Sequence, residues 1–288
     1  MIGLRSKRIA SDVTIYIILS VMVAIWLFPL VWLVLRAFGT EVSNTSALVF
    51  PKGYTLENFK QLFPGGASDY AQFPYMTWIL NTLLIALGSC TISTLFVLMV
   101  SYALSRMRFK MRKKLMNIAL ILGLFPGFLS MITLYFMFNL FDFTPNNRLG
   151  LMFAYSLGAG TGYYIVKGFF DTVPLAIDEA ARIDGATKNR IFWTMIIPLS
   201  KPIIIYTILT NFIGPWCDYI MASVFMTKTK YYTVAVGIRQ FIDGLTLPGT
   251  HFARFCAGGV LISVPIVILF LIMQKFYVEG ITGGAAKG

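Results

Sequence analysis

Long runs of apolar residues are the feature that most limits how this chain can fold. The hydrocarbon core of a bilayer, about 30 Å thick, takes roughly 20 mostly apolar residues of helix to cross. Windows of about that length occupy residues 15–37, 78–104, 115–140, 149–166, 203–224 and 255–277. Since only 12% of the residues are charged and 57% are hydrophobic, a water-soluble domain fits poorly. The sequence predicts an all-α integral membrane protein with six transmembrane helices, in a single domain over residues 1–288.

The basic residues predict how these helices are oriented. The net charge is +12, and Lys and Arg concentrate in alternate loops: Arg5 to Arg8, Arg106 to Lys114 and Arg182 to Lys201. Because cytoplasmic loops carry an excess of Lys and Arg, these segments and both termini are predicted to be cytoplasmic. This distribution reflects topology, so no nucleic-acid partner is expected. The first apolar run is too long for a cleaved signal sequence and is expected to stay as a span.

Several kinds of catalytic or cofactor site have little support in the sequence. The cysteines Cys90, Cys217 and Cys256 all fall inside apolar windows and lack metal-site spacing. His251 is the single histidine, which argues against a multi-histidine metal site or an intramembrane hydrolase. The sequence contains no G-x-x-x-x-G-K-[ST] loop for a nucleotide. We therefore expect a non-catalytic chain that binds no metal or cofactor of its own.

One stretch between the fourth and fifth apolar windows holds far more charge than its surroundings. It runs "DEAARIDGATKNRIFWTMIIPLSKP", from Asp178 to Pro202. Pro174 suits the first turn of a helix, and Gly185 suits its end. A second helix is expected to begin near Thr187 and to stop at Pro198, which cannot donate the next helical hydrogen bond. The pattern predicts a helical hairpin within residues 171–201, beside the membrane.

The residues alone leave two interpretations of this hairpin. Amphipathic helices with basic residues usually lie on a membrane surface without a protein partner. Alternatively, the small side chains of Ala180 and Ala181 form a low-relief face that another protein can approach closely, with Asp178 and Glu179 beside it. Physical arguments favour both equally.

A resemblance to a known family favours the second interpretation. Glu179, Ala180 and Ala181, followed by Gly185 and Pro198, resemble the EAA signature of permease subunits in bacterial ABC importers, with conservative departures at Met195 and Ile197. The stretches "IDGA", "YYTVAVGIRQF" and "YVEGITGGAAKG" extend the resemblance over nearly the whole chain, to the MalG family of maltose/maltodextrin permeases. In that family the EAA loop is a coupling helix that docks on a cytoplasmic ATPase subunit. The resemblance implies this ATPase-coupling role for Asp178, Glu179, Ala180, Ala181, Asp184, Gly185 and Pro198.

The same resemblance implies the function and the partners. The chain would be the permease subunit of an ATP-driven importer for maltodextrin-like oligosaccharides, a multi-pass protein of a bacterial plasma membrane that works by alternating access. Its partners would be a second permease chain in a heterodimer, a dimer of ATPase subunits that binds ATP and Mg, an extracytoplasmic sugar-binding protein, and membrane lipid. The loop Phe241 to Phe252 lies where the family presents a loop to the binding protein. The candidate contacts there are Asp243, Leu245, Thr246 and His251.

Polar and aromatic residues in the fifth window are candidates for the substrate pathway. Asp218 is the acid placed well inside a span, where a charge is costly unless it meets water or a partner. The candidate residues are Asn211, Phe212, Trp216, Asp218 and Tyr219. An aromatic residue in a span more often packs or faces lipid than contacts a substrate. The alternative function is a secondary, ion-coupled sugar transporter, which would need ionisable groups like Asp218 within its spans.

Overall fold

The computed structural model describes residues 4–40, 50–124, 126–157, 162–243 and 251–285, with side chains described between residues 11 and 274. The described residues are mostly helical and form no strand. In chain order the α-helices of these residues are α1 (Leu4–Ala37), α2 (Glu57–Lys60), α3 (Tyr75–Arg106), α4 (Arg112–Gly123), α5 (Gly127–Asn139), α6 (Arg148–Leu157), α7 (Gly162–Thr172), α8 (Leu175–Ile183), α9 (Lys188–Ile191), α10 (Ile197–Leu199), α11 (Lys201–Cys217), α12 (Ile220–Phe225), α13 (Val234–Asp243) and α14 (Phe252–Ala285). The all-helical prediction is confirmed.

Three helices of the described residues are long and apolar enough to cross a bilayer. They contain the segments Ser11–Ala37, Tyr75–Arg106 and Phe252–Gln274, which match the first, second and sixth predicted windows. The number rises to five if each of two bent helix pairs counts as one span. A multi-pass membrane protein is therefore supported, and the full set of six spans stays a prediction.

Breaks interrupt the other predicted windows. The window 115–140 becomes α4 and α5, and Pro126 immediately precedes α5. A proline lacks the backbone N–H that a continuous helix needs, which explains a break here. The window 203–224 divides into α11 and α12 at Asp218 and Tyr219. The window 149–166 contains α6 and the start of α7, and residues 158–161 between them lie outside the described residues.

Helix α3 has the reverse of the residue pattern found in water-soluble proteins. Its buried stripe includes small and polar residues, and its exposed side carries Leu80, Leu84, Leu87, Phe96 and Met99. The buried polar members of this stripe are Asn81, Thr82, Ser89, Ser93, Thr94 and Ser101. Small and polar side chains let membrane helices approach and hydrogen-bond one another, while apolar side chains meet lipid. The pattern indicates that α3 packs against α6, α7 and α11 with its outer side in the hydrocarbon.

The described backbone divides into two compact units. One comprises Met1–Phe73 with Ile238–Leu261, and in it the Arg254 guanidinium donates to both carboxylate oxygens of Asp69, at 2.9 and 2.8 Å. The other comprises Pro74–Gly237 with Ile262–Gly288 and contains α3 to α12. A single transmembrane domain over the whole chain stays a prediction.

Candidate functional site

The charged stretch forms the predicted helical hairpin, which we define as residues 175–199, from α8 to α10. Pro174 stands immediately before the first residue of α8, with φ −57° and ψ 131°. Asp184 ends the helix, and Gly185 follows with a φ of +79°, in the left-handed region that favours glycine. The Gly185 N–H donates to the Arg182 carbonyl at 3.0 Å, and the Ala186 N–H donates to the Ala181 carbonyl at 2.9 Å. The predicted helix and its glycine end are therefore confirmed.

One side of α8 packs against the chain itself. Asp178 and Ala181 are each 2% exposed, and Ala181 packs in a core with residues of α3, α7 and the second half of the hairpin. The apolar members of this core are Val97, Leu98, Tyr102, Val166, Phe170, Val173, Ile191, Phe192 and Ile196. The expectation that Ala180 and Ala181 together face a partner is therefore wrong for Ala181, because its small side chain allows a close contact within this chain.

The opposite side of α8 is open. Glu179, Ala180 and Arg182 are exposed, and Ile183 is 87% exposed. At 100° per residue, Ile183 and Glu179 lie near the middle of this side and Asp178 and Ala181 lie opposite them. We call Leu175, Glu179, Ala180, Arg182 and Ile183 the outer face of α8. It combines two exposed apolar side chains, Leu175 and Ile183, with charges of both signs.

The second half of the hairpin differs from its prediction at Pro198. Thr187 caps α9, since its hydroxyl accepts a hydrogen bond from the Arg190 N–H at 3.3 Å. Phe192–Ile196 then form a π-helical turn, and Pro198 lies inside α10 with its side chain exposed. In a π turn each N–H reaches one residue further back, and this local change of pairing accommodates a proline that cannot donate. The prediction that Pro198 ends the helix is wrong, because the chain turns at Ser200 and α11 continues at 85°.

Sequence reasoning missed the residue that holds α8 in place. Arg106, the last residue of α3, is buried and approaches the Asp178 carboxylate at 3.2 Å. In the sequence Arg106 is one of several basic residues in a charged loop, and its distance of 72 positions from Asp178 gives no local signal for the pair. The burial that distinguishes it depends on how α3 packs against α7 and on the contact with Asp178 of α8.

The candidate pathway residues lie around the break between α11 and α12. Asp218 accepts hydrogen bonds from the Ile220 and Met221 N–H groups at 2.9 and 3.2 Å, and from the Tyr155 hydroxyl at 2.8 Å. It therefore caps the start of α12, which explains an acid at this position. Its neighbour Tyr219 is partly exposed.

The remaining candidates in α11 are turned toward other helices. The Asn211 amide donates to the Thr94 hydroxyl of α3 at 3.2 Å. Phe212 and Trp216 are buried, with ring centroids 5.9 Å apart, and the Trp216 indole N–H has no acceptor among the described residues. These contacts assign Asn211 and Phe212 a packing role in this conformation.

The candidate contacts for a binding protein are described only in part. Asp243 accepts a hydrogen bond from Arg239 of the same helix at 2.7 Å and is half exposed. His251 lies 3.8 Å from the Asp69 carboxylate and borders an open cavity of about 350 Å³ with Glu57, Gln61 and Arg254. Burial, followed by the positive charge of Arg254, lowers the pKa of His251, and Asp69 opposes this. Leu245 and Thr246 lie outside the described residues.

Comparison with known proteins gives a consistent family assignment. Residues 98–282 match the model of the family described as "Binding-protein-dependent transport system inner membrane component". The maltodextrin transport system permease protein MalD of Streptococcus pneumoniae is 35% identical over 99% of both chains. The galactooligosaccharides transport system permease protein GanQ of Bacillus subtilis is 33% identical, covering 95% of this chain and 94% of that protein. The maltose/maltodextrin permease protein MalG of Photorhabdus laumondii is 31% identical over 95% of both.

One solved structure shows the same fold. It is a bacterial ABC transporter involved in the import of the acidic polysaccharide alginate, and one of its chains superposes with a TM-score of 0.78 at 20% sequence identity. The match covers 96% of this chain and 99% of that chain. At this identity the likeness concerns the fold alone.

Proposed function

The chain belongs to the family of binding-protein-dependent transport system inner membrane components, and from that premise we propose that it is the permease subunit of an ATP-driven oligosaccharide importer. Maltodextrin-like sugars are the proposed cargo, since relatives of nearly full-length coverage are permeases for maltodextrins, maltose or galactooligosaccharides. In this proposal the chain is not an enzyme. ATP and Mg bind a dimer of partner ATPase subunits, and a second permease chain and an extracytoplasmic sugar-binding protein complete the transporter.

The observation that carries this proposal is the outer face of α8. Ile183 is 87% exposed and Leu175 is 57% exposed, so the outer face presents two large apolar side chains beside its charges. Close packing against a groove of an ATPase subunit would bury Ile183, and Glu179 and Arg182 would pair with charges around the groove. We therefore propose that this face, rather than Asp178 and Ala181, makes the direct contact, with the hairpin and both termini in the cytoplasm.

The ion-coupled alternative is less consistent with the geometry and gains no support from the relatives above. It would need an ionisable group free to take up and release an ion during transport. Asp218, the acid predicted for that purpose, accepts two backbone hydrogen bonds and one from Tyr155. These bonds suit a helix cap that stays in place.

Uptake measurements distinguish the two functions. Cells would receive labelled maltodextrins of several lengths, with the binding protein present, with or without the ATPase subunits. We expect uptake to require the ATPase, because this chain contains no nucleotide-binding loop. Uptake that persists on an ion gradient after deletion of the ATPase would contradict the proposal.

A substitution on the outer face tests the docking role. Ile183→Asp places a charge where an apolar contact is proposed, so we expect the ATPase subunit to be lost from the purified complex and sugar-stimulated ATP hydrolysis to fall with it. Asn189→Ala, an exposed position of the same hairpin away from α8, is the control. Equal ATPase recovery with both variants would overturn the assignment of this face.

A further inference from the structure

The last turns of α3 carry polar side chains that contact α7, the residues that connect α7 to α8, and the helices α8 and α9 of the hairpin. Ser101 and Ser105, like Tyr102 and Arg106, are four residues apart, so all four lie on neighbouring parts of one side of α3. The Ser101 hydroxyl donates to the Tyr163 carbonyl at 2.9 Å, and the Tyr102 hydroxyl donates to the Lys188 carbonyl at 3.1 Å. Through these contacts α3 reaches both α7 and the second half of the hairpin.

Ser105 and Asp171 form a second connection between α3 and the end of α7. The Ser105 hydroxyl donates to the Asp171 carboxylate at 2.5 Å, and Lys167 forms an ion pair with the same carboxylate. Burial raises the pKa of Asp171, but the hydrogen bonds from Lys167 and Ser105 outweigh it and lower the pKa overall. Asp171 is therefore ionised at neutral pH and keeps this contact.

Arg106 makes the most connections of these residues. One terminal nitrogen of its guanidinium donates to the Phe170 and Val173 carbonyls, at 2.8 and 2.7 Å. The other terminal nitrogen lies 3.2 Å from Asp178. A single planar side chain thus contacts the end of α7, the connecting residues and α8, a geometry that a lysine cannot reproduce.

The buried Asp178 carboxylate has the Arg106 guanidinium beside it. Both side chains are almost fully buried, 2% and 3% exposed, and neither carboxylate oxygen accepts a regular hydrogen bond from a described residue. The ion pair is therefore a charge contact without hydrogen-bond alignment. A buried carboxylate that loses its cation is strongly destabilised. The position of α8 therefore follows the position of Arg106.

We propose that Arg106 and Asp178 form a latch that makes α8 and α3 move as one unit. A displacement imposed on the outer face of α8 would then pass directly into α3, besides following the chain through Ser200 into α11 across its 85° bend. Both are positioning residues, since they lie beneath the outer face rather than on it. The proposal rests on the proposed function in one respect: the displacement comes from the ATPase.

Distance measurements test the latch without any partner protein. Spin labels would be placed at Ile183→Cys on α8 and Met99→Cys on the exposed side of α3, in the full chain without its native cysteines, in lipid nanodiscs. We expect one narrow distance distribution in the parent and in the control Asp142→Asn, which neutralises an exposed acid far from the hairpin in sequence. Asp178→Asn keeps the shape of the side chain but removes its charge, and should broaden the distribution.

Arg106→Lys is the graded variant. It keeps a positive charge for Asp178 but loses the paired contacts to the Phe170 and Val173 carbonyls, so we expect a width between those of the parent and Asp178→Asn. It also carries the test if Asp178→Asn fails to insert. An unchanged distribution in the inserted variants overturns the latch, whatever the chain transports.

Transport supplies the second measurement. In the assembled transporter, Asp178→Asn should retain the ATPase subunit, because the outer face is intact, while the sugar transported per ATP hydrolysed falls several-fold. Asp142→Asn should keep the parent ratio. A broadened distance distribution with an unchanged ratio would overturn transmission through α3. Loss of the proposed function itself would instead appear as uptake that no longer needs the ATPase.

Discussion

Neighbouring residues of α8 have opposite environments. Asp178 and Ala181 are buried against this chain, and Glu179 and Ala180, which adjoin them in sequence, are exposed. The short signature of Glu and two Ala residues therefore serves two surfaces, since one alanine permits packing inside the molecule and the other lies on the outer face. A role inferred for the signature as a whole has to be divided residue by residue.

Tryptophan substitutions separate these two alanines. Ala181→Trp adds an indole to a packed core and should lower the stability of the purified chain by about 1–3 kcal/mol, the usual effect of overpacking. Ala180→Trp should leave that stability within about 0.5 kcal/mol, as exposed substitutions generally do, while reducing recovery of the ATPase. Thermal unfolding in detergent and co-purification measure the two effects. Equal loss of stability in both variants would contradict the burial described here.

Among the helices, small residues mark places where backbones approach closely. A β-carbon at Gly150 of α6 would lie 1.9 Å from the Phe143 carbonyl oxygen, a backbone atom with little freedom to move. A β-carbon at Gly168 of α7 would have no described atom within 4 Å. The two glycines occupy similar helices, so their surroundings rather than their conformation distinguish them.

Alanine should therefore lower the stability of the chain at Gly150 but not at Gly168. Gly150→Ala should destabilise the chain by about 1–3 kcal/mol through overlap. Gly168→Ala should leave the chain unchanged or stabilise it by up to about 1 kcal/mol, because alanine is the better helix former. The melting temperature in a single detergent measures both. A loss of stability in Gly168→Ala as large as in Gly150→Ala would show that the close approach at Phe143 is not the cause.

At the scale of the whole molecule, the sequence predicts features whose causes are local. The apolar windows of α1, α3 and α14 appear within a few residues of their predicted bounds, and Gly185 has the conformation its position demands. The Arg106–Asp178 pair spans 72 positions, and Ala181 shares its core with Val97, Leu98 and Tyr102 of α3, about 80 positions away. The hydrophobic periodicity and helix propensity of the sequence do not predict such contacts, because they form only when distant helices pack together. The π turn before Pro198 shows a further limit of prediction from sequence. A proline can either end a helix or change the hydrogen-bond pattern of the turn before it, and the sequence does not say which.

The orientation of the chain in the membrane has a direct test. A cysteine at the exposed position Asn189, with Cys217 replaced, should react only with reagents that reach the cytoplasm, because the loops predicted on this side carry the excess of Lys and Arg. A cysteine at Lys228, also exposed, is predicted to lie on the other side and should react with impermeant maleimide added to intact cells. Labelling of Asn189→Cys from outside would contradict the predicted topology.

The protruding isoleucine at position 183 also bears on how a cell would balance the synthesis of its subunits. A chain without its ATPase partner would present an uncovered apolar side chain to the cytosol, the kind of surface that chaperones and quality-control proteases bind. Copies made in excess would be removed faster than assembled ones. The lifetime of the chain would then follow the supply of its partner, and the same side chain that completes the complex would mark the orphan for degradation.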